Sequence, residues 1–483
     1  MLELWQTVSP YILPVYYVVI FPVVINILLE NRNPLKTHSY LLLLLLLPLF
    51  GVVIYLFFGQ NIRKRKIFAK KQLINQAFGD LYFQTRIEKE SIDEVLPPEL
   101  SQYERVIRFL KKDLSPLTGN NTVTLLNNGE EKFPVLIQAL EQARHHIHFE
   151  YYIYEEGDIG NHIAEVLKRK ASEGVSVKMI VDGVGSLSLS KGFFQDLKAA
   201  GVHIVEFMPV LFPSFTSKIN YRNHRKIVVV DGMIGFTGGI NISDRYINNG
   251  KYPTYWRDTH VRIEGEAVKT LQFLFLLSWQ FVTQEEILPE SQFFPEFTPK
   301  GKDLVQINAS GPDWELASIM DSFFLAICSA RKKVSIATPY FIPNESIMDA
   351  IVTASKSDIE IDIIIPDTAD SWIVESATKS FIKQLLEADV NVYLYKKGFL
   401  HSKVIIIDEN FASVGSANMD YRSFDLNHEV NAYFYDKVIV HQLMNEFEKD
   451  KLESKQVEWK EWKARGLYQK LKESVCRLLA PLL

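Results

Sequence analysis

The chain has 483 residues, of which 47% are hydrophobic and 23% are charged, and its formal net charge is −5. This composition excludes a disordered chain, and the acidic net charge gives no general attraction for nucleic acid. The two cysteines, Cys328 and Cys476, argue against a disulfide framework or a thiolate metal site and suit a reducing compartment.

Two apolar segments without charge lie near the N-terminus, over residues 8–29 and 39–59. At about 20 residues, each is long enough to cross a hydrocarbon core of roughly 30 Å as a helix. Asn31, Asn33 and Pro34 between them suit a tight polar turn. The sequence therefore predicts a two-span transmembrane hairpin.

Two alternatives to this hairpin remain. A cleaved signal peptide would need a basic N-terminus and one span, whereas Glu3 and a second span are present. The other alternative is an apolar hairpin buried in a soluble core, which the all-round apolar run over residues 41–47 disfavours.

A basic cluster without acids follows the second span: Arg63, Lys64, Arg65, Lys66, Lys70 and Lys71. Basic residues beside a span favour the cytoplasmic side, and each attracts anionic lipid by about 1 kcal/mol. We therefore expect a multi-pass protein of the inner (cytoplasmic) cell membrane, with the rest of the chain in the cytoplasm.

The remaining chain reads as a helical connector followed by two copies of one strand–helix unit. From about residue 120, strand and helix patterns alternate, and the rhythm repeats after a join near residue 300 that Pro295, Pro299 and Gly301 mark. The predicted segments are 1–60 (hairpin), 61–119 (connector), 120–300 (first half), 301–450 (second half) and 451–483 (C-terminal amphipathic segment).

Each half ends in the same motif: His-x-Lys, four residues, Asp, six residues, then Gly-x-x-Asn. The first copy contains His224, Lys226, Asp231, Gly238 and Asn241, and the second contains His401, Lys403, Asp408, Gly415 and Asn418. A lone His-x-Lys is usually a solvated surface pair, but five residues repeated at a constant offset form a specific signal.

The motif residues suit a phosphate site. His and Lys two residues apart on a strand face the same side, because side chains alternate along a strand. The two lysines and the two asparagines can neutralise a phosphodiester without a metal or another cofactor. Histidines suit nucleophilic and acid–base roles near neutral pH. Asp231 and Asp408 open turns and are expected to bond their own backbone, in a supporting role at the catalytic motif.

Both motifs resemble those of the phospholipase D superfamily, and the whole chain resembles the bacterial cardiolipin synthases within it. The further matching segments are Asn31 to Pro34, Phe58-Gly59, Trp256 to Thr259, Thr338 to Phe341, Asn427 to Asn431 and Leu478 to Leu483. The resemblance implies an α/β fold in which two tandem phospholipase D-like α-β-α units form a pseudo-twofold catalytic domain.

The resemblance also implies a mechanism through a phosphatidyl-histidine intermediate. His224 would attack phosphorus and His401 would act as acid and base, although a near-twofold site could run in the reverse direction. Each histidine needs an acceptor behind its second ring nitrogen. Asp258 and Glu429 occupy corresponding places after the two motifs, so we expect them to orient the histidines; the alternative is an ordinary surface or strand-pair acid.

Two apolar segments outside the motifs suggest membrane contact. The first half carries an extra apolar loop over residues 208–215, which either dips into the bilayer near His224 or packs between the halves. Near the C-terminus, leucines at helical spacing accompany lysines and arginines, as in a helix that lies on a membrane; docking onto the catalytic domain is the alternative.

The function that follows from the resemblance is cardiolipin synthesis, in which two phosphatidylglycerol molecules give cardiolipin and glycerol. A phospholipase D-type hydrolase and a phosphatidyltransferase that uses phosphatidylethanolamine remain alternatives, because the motifs read only the phosphodiester. A nuclease conflicts with the apolar anchor and the acidic charge. A catalytically dead scaffold conflicts with two complete motifs. The sequence does not determine the oligomeric state.

Overall fold

The computed structural model describes residues 2–29, 34–47, 51–52, 55, 96–209, 220–285, 291–296, 301–314 and 316–480. The N-terminal helices belong to one compact unit, and the described residues from 96 onward belong to another.

The N-terminal unit contains α1 (Leu2–Leu29) and α2 (Pro34–Leu46). The Tyr16 hydroxyl donates to the Leu44 carbonyl at 2.6 Å, and Leu44 packs in a small cluster with Ile27 and Tyr55. Across the described part of the chain, no helix combines the length and the apolarity that a membrane crossing needs. The transmembrane hairpin stays a prediction.

The described end of the connector is helical, as predicted. A 3₁₀ helix, Pro98–Tyr103, leads into α3 (Glu104–Lys112). The buried face of α3 carries Val106, Ile107 and Leu110, spaced for one side of a helix. The predicted connector residues before 96 lie outside the described residues.

The larger unit alternates strands and helices. Its strands are β1 (Thr118–Asn127), β2 (His146–Tyr151), β3 (Ser176–Asp182), β4 (His203–Phe207), β5 (Lys226–Val230), β6 (Ile234–Gly238), β7 (Tyr255–Arg257), β8 (Thr259–Glu264), β9 (Asp303–Ser310), β10 (Lys333–Ala337), β11 (Phe341–Ile342), β12 (Glu360–Pro366), β13 (Asn391–Tyr395), β14 (Gly398–Leu400), β15 (Val404–Ile407), β16 (Phe411–Gly415), β17 (Met419–Asp420), β18 (Glu429–Phe434) and β19 (Ser454–Gln456). Its longer helices are α4 (Asn128–Glu141), α5 (Asp158–Ser172), α6 (Lys191–Ala199), α7 (Val268–Thr283), α8 (Ser318–Ser329), α9 (Glu345–Lys356), α10 (Trp372–Glu387), α11 (Tyr421–Asp425), α12 (Lys437–Leu452), α13 (Trp459–Lys463) and α14 (Leu467–Arg477).

One sheet of 15 strands runs through both halves, in the order β19-β13-β12-β10-β15-β16-β18-β9-β1-β8-β6-β5-β2-β3-β4 among the described residues. The first half contributes β4-β3-β2-β5-β6-β8-β1, and the second half repeats that order as β13-β12-β10-β15-β16-β18-β9. Each half contains three parallel strands: β2, β3 and β4 in the first, and β10, β12 and β13 in the second. The first strand of each set also pairs antiparallel with the strand that follows the motif histidine, β5 or β15. The predicted mixed α/β fold with two tandem units is confirmed.

The two halves join through backbone pairing between antiparallel β1 and β9. Apolar side chains of the helices and strands form one core in each half. The core of the second half also takes in Tyr103, Val106 and Leu110 from the end of the connector.

The C-terminal helices dock onto the second half. α14 packs against α10, with Glu473 and Cys476 buried in the contact. Docking onto the catalytic domain is therefore observed, along one side of α14.

Candidate active site

The two motif histidines lie just outside the strands that were predicted to carry them. β5 begins at Lys226 and β15 begins at Val404, so the prediction that each His-x-Lys lies within a strand is wrong at both histidines and at Lys403. The physical reason is that their backbone amides bond to the other half: His224 N–H donates to the His428 carbonyl at 2.9 Å, and His401 N–H donates to the Arg257 carbonyl at 2.7 Å.

Each histidine bonds a carboxylate from the opposite half. His224 Nδ1 lies 2.9 Å from Glu429 Oε2, and His401 Nδ1 lies 2.6 Å from Asp258 Oδ2. Both carboxylates are fully buried, and both histidines are 8% exposed. Asp258 and Glu429 thus lie where a histidine-orienting carboxylate is expected, and each pairs with the histidine of the other half. Nε2 of each imidazole is then the nitrogen left for chemistry.

Short parallel backbone pairs hold this crossing in place. β7 of the first half pairs with β14 of the second, immediately before His401. A corresponding bridge joins Asn223, before His224, to His428. Thr259 Oγ1 and Ser402 Oγ, one from each half, lie 2.7 Å apart beside the second dyad.

The motif lysines lie in the same buried site. Lys226 Nζ donates to the His224 carbonyl at 2.7 Å, and Lys403 Nζ donates to the His401 carbonyl. Burial lowers the pKa of Lys226 to about 7 and that of Lys403 to about 8. The charges of Glu429 and Asp258 oppose this lowering at both lysines, and the charge of Lys403 lowers the pKa of Lys226 further. A phosphodiester anion between the two amines would favour their charged forms.

The histidines are neutral and their carboxylates ionised at neutral pH. Burial and then Lys403 lower the pKa of His401 to about 3, against the opposing charge of Asp258. Burial also lowers the pKa of His224. Burial raises the pKa of Glu429 and Asp258, but His224 beside Glu429, and Lys403 and His401 beside Asp258, outweigh it and hold both values below normal. A neutral imidazole is the form that a nucleophile requires.

The motif asparagines are buried beside the dyads. Asn241 Nδ2 donates to the Tyr246 hydroxyl at 3.0 Å, and that hydroxyl lies 3.4 Å from His401 Nδ1. Asn418 Nδ2 donates to Asp420 Oδ2 at 3.0 Å. The two amides are thus oriented by neighbours within their own halves and lie in the lining of the site.

Asp231 and Asp408 are not brought to the histidines. The Asp231 carboxylate accepts from the backbone N–H groups of Arg144, His145 and His146 at 2.8–2.9 Å, at the start of β2. It follows the last residue of β5, about 17 Å of strand away from His224. The structure therefore places the Asp231 carboxylate away from the histidines, and the expectation that it bonds its own local backbone is wrong.

Asp408 repeats this arrangement in the second half. Its carboxylate accepts from the N–H groups of Arg331, Lys332 and Lys333 at 2.8–3.0 Å, and also from Gln102 Nε2 at 2.7 Å. Both motif aspartates join the end of one strand to the start of its neighbour, and Asp408, like Asp231, lies away from the histidines.

Sequence reasoning missed several groups that contact the histidines and their carboxylates. Ser416 Oγ donates to the Glu429 carboxylate, and the Thr259 N–H donates to Asp258 Oδ1 at 2.7 Å. Aromatic rings surround the histidines: Tyr152 beside His224, and Tyr246, Trp256 and Phe399 beside His401. Ser416 and Thr259 adjoin motif residues, which is the signal that could have found them; the ring contacts depend on the fold.

Of the predicted apolar loop over residues 208–215, only Met208 and Pro209 fall within the described residues. Met208 is buried, and its carbonyl accepts from the Arg222 guanidinium at 3.4 Å. The rest of this loop, and the choice between membrane contact and packing between halves, lies outside the described residues.

Sequence comparison relates both halves to known proteins. Residues 136–268 and 324–451 match the family model "Cardiolipin synthase, PLD-like domain", and residues 18–60 match "Phospholipase_D-nuclease N-terminal". The chain is 44% identical to a cardiolipin synthase of Halalkalibacterium halodurans over 95% of this chain and 91% of that protein. It is 37% identical to the major cardiolipin synthase of Bacillus subtilis over 99% of this chain and 100% of that protein.

The fold also has a solved relative. A phosphatidylserine synthase from Haemophilus influenzae superposes with a TM-score of 0.61 at 15% identity, covering 78% of this chain and 98% of that one. At this identity the likeness concerns the fold alone.

Proposed function

The chain belongs to the bacterial cardiolipin synthases of the phospholipase D superfamily, and from this premise we propose that it transfers a phosphatidyl group between two phosphatidylglycerol molecules, giving cardiolipin and glycerol. The observation that carries the proposal is the pair of crossed histidine–carboxylate dyads with two lysines between them. Two such dyads supply a nucleophile and an acid–base group for one phosphodiester.

In the first step, Nε2 of His224 attacks phosphorus and forms a P–N bond. His401 takes up a proton when the anionic phosphodiester binds beside it, since the negative charge of the lipid and of Asp258 favours the imidazolium. The P–O bond to glycerol then breaks, and His401 gives this proton to the leaving oxygen. Lys226, Lys403 and the motif asparagines stabilise charge on the non-bridging oxygens.

In the second step, a hydroxyl of the second phosphatidylglycerol headgroup attacks the phosphatidyl-histidine. His401 takes the proton of that hydroxyl, the P–N bond breaks, and cardiolipin leaves with His224 regenerated. One phosphodiester replaces another, so glycerol removal and lipid supply set the direction. Because the site is nearly twofold, the alternative is that His401 is the nucleophile and His224 the acid and base. Isolating the phosphatidyl-histidine adduct and identifying its residue decides between the two assignments.

The test measures products from acyl-labelled phosphatidylglycerol in mixed micelles. We expect cardiolipin and glycerol in equal amounts, with both lost in His224→Ala and His401→Ala. The matched control is His203→Ala, at an exposed histidine of β4. Phosphatidic acid as the main product would instead indicate a hydrolase, and cardiolipin formed only after phosphatidylethanolamine is added would indicate a different second lipid.

We also propose that residues 8–29 and 39–59 form a transmembrane hairpin, with the catalytic halves in the cytoplasm. The helices α1 and α2 and the basic cluster after the second segment support this topology. Alkaline phosphatase fused after residue 35 should be active, and a fusion after residue 120 inactive, since the enzyme needs the periplasm or cell exterior. The opposite pattern would place the halves outside.

A further inference from the structure

The C-terminal helix α14 is fixed to the catalytic domain along one side. Glu473 and Cys476 are buried against the protein, at 5% and 4% exposure. Arg465 donates two hydrogen bonds to the Glu473 carboxylate, at 2.6 and 3.0 Å, and its guanidinium stacks on the Trp462 ring. These contacts set which face of α14 points outward.

The outward side of α14 and the residue after it form an exposed apolar stripe. The exposed fractions are 82% for Leu467, 60% for Leu471, 53% for Val475 and 79% for Leu478. Steps of four, four and three residues place these side chains on one side of a helix, roughly opposite the buried Glu473 and Cys476. Tyr468 and Leu479 widen the stripe. An exposed apolar stripe of this size is costly in water and marks a binding surface.

The charges beside this stripe are positive. Lys470 and Lys472 lie along its borders, and Glu473, the one acid between residues 467 and 478, is paired with Arg465. Arg477 instead lies against α10, over the Phe381 ring. A leucine stripe flanked by lysines complements a surface that is apolar inside and anionic at its edge. A bilayer that contains anionic lipid has both properties.

The stripe also lies beside the start of α10, near the active site. Lys472 Nζ lies 5.3 Å from the centroid of the Trp372 ring, and Trp372 is 61% exposed. Two residues earlier, Asp370 accepts from the Tyr340 hydroxyl at 2.7 Å and acts electrostatically on Lys403. A bilayer bound along the stripe would therefore meet the protein close to the second-half side of the catalytic site.

We propose that α14 is an interfacial docking helix: its apolar stripe inserts among the acyl chains of a bilayer while Lys470 and Lys472 bind anionic headgroups. This contact is separate from the transmembrane hairpin and holds the catalytic domain against the lipid surface. This membrane contact adds to the proposed function, and it does not depend on any step of the proposed reaction.

The direct test uses the full chain reconstituted into vesicles of equal parts phosphatidylglycerol and phosphatidylcholine with brominated acyl chains. A fluorophore is attached to Leu471→Cys in a Cys328→Ser background, since Cys476 is buried. We expect at least threefold stronger quenching than for a label at Leu452→Cys, where the native leucine is 87% exposed at the end of α12. Pure phosphatidylcholine vesicles should abolish the difference.

Equal quenching at the two positions would overturn the proposal. A label at Leu471→Cys that is shielded without bromine quenching, in a protein that dimerises with rising concentration, would overturn it in favour of a second copy. Because quenching needs no turnover, this result stands whether or not phosphatidylglycerol proves to be the substrate.

A kinetic test uses the double variant Leu471→Glu/Leu478→Glu against the control Leu452→Glu. With lipid in mixed micelles, we expect the apparent KM of the double variant to rise roughly tenfold, because the two leucines that insert among the acyl chains are replaced by charged side chains. The kcat and the melting temperature should be retained. A loss of kcat at unchanged KM, with the fold intact, would contradict the docking role.

Discussion

Gly239 and Ser416 occupy equivalent positions in the two motifs but serve the two carboxylates in different ways. A Cβ on Gly239 would lie 2.1 Å from Asp258 Oδ1, so the glycine leaves room for this carboxylate. Ser416 in the second half instead donates its hydroxyl to Glu429. Each residue is matched to the carboxylate beside it, and the two motifs are therefore not interchangeable.

This matching predicts different effects of alanine at the two positions. Gly239→Ala should displace Asp258 from His401 and lower kcat about a hundredfold, because a displaced carboxylate no longer orients the imidazole or stabilises its charged form. Ser416→Ala removes one hydrogen bond and should lower kcat about tenfold. Product formation at saturating lipid measures both; equal effects, or none at Gly239→Ala, would contradict this account.

The crossed dyads predict that Glu429→Gln lowers kcat about 10³- to 10⁴-fold while the protein remains folded, since an amide cannot stabilise the His224 imidazolium. Glu264→Gln, at a half-buried acid of β8 paired with Arg262, is the matched control. Circular dichroism checks the fold and cardiolipin formation measures the loss. Retention of activity would remove Glu429 from the His224 dyad.

The lowered pKa values of the lysines predict the pH dependence of lipid capture. The ammonium form binds phosphate, and it is lost as pH rises through about 7 for Lys226 and about 8 for Lys403. The kcat/KM of the free enzyme should therefore begin to fall at about pH 7 and fall more steeply above about pH 8. Lys226→Arg should move this decline to higher pH, because a guanidinium stays charged.

The control for that profile is Lys437→Arg at an exposed lysine, which should leave it unchanged. A flat kcat/KM to pH 9.5 in the unsubstituted enzyme would show that the lysines remain charged in the free site.

Much of the residue-level site could be read from the sequence. The repeated motif identifies His224, His401 and both lysines, since a constant offset is visible without a fold. Which carboxylate pairs with which histidine could not be read, because that depends on β7 and β14 meeting across the two halves. The bonding partners of the two aspartates could not be read either, because a motif shows that a residue recurs, without showing which strand end its side chain reaches.

At the scale of elements, each motif aspartate connects two adjacent strands. Asp231 has a left-handed backbone, with φ at 53°, and Asp408 has φ at 51°. Aspartate and asparagine tolerate this conformation better than most residues. Three backbone donors at the start of β2, or of β10, then converge on one carboxylate.

This role predicts a loss of stability without a loss of chemistry. Asp231→Ala should cost about 2 kcal/mol, because it removes a charged acceptor and adds strain, and Asp231→Asn should cost less. The melting temperature reports both, and kcat of the folded fraction should stay within about twofold of the unsubstituted value. A large fall in kcat at unchanged melting temperature would restore the catalytic assignment.

Element positions followed the sequence closely where periodicity was strong. The alternation of strands and helices that the sequence predicts from about residue 120 is present, for example in α5 and β3. The segment around each motif histidine departed from prediction because pairing across the halves replaces the strand ladder there. Local propensity carries no information on such long-range pairing.

At the scale of the molecule, the continuous sheet predicts that the two halves unfold together. β1 and β9 pair across the join, and both dyads require both halves. Calorimetry should show one transition for the catalytic domain, which Asp231→Asn and Asp408→Asn both shift. Two transitions, each sensitive to one of these variants, would show that the halves are independent.

The crossing of the dyads has a consequence for ancestry. A single half contains a histidine and a carboxylate that point to different sites, so it completes a dyad only by meeting another copy of itself. A one-repeat ancestor with this geometry would have needed a homodimer to form its dyads, and the two dyads would then have been equal. Duplication and fusion of such a unit would release the copies from identity, and Gly239 beside Asp258 against Ser416 beside Glu429 is a difference of the kind that this release allows.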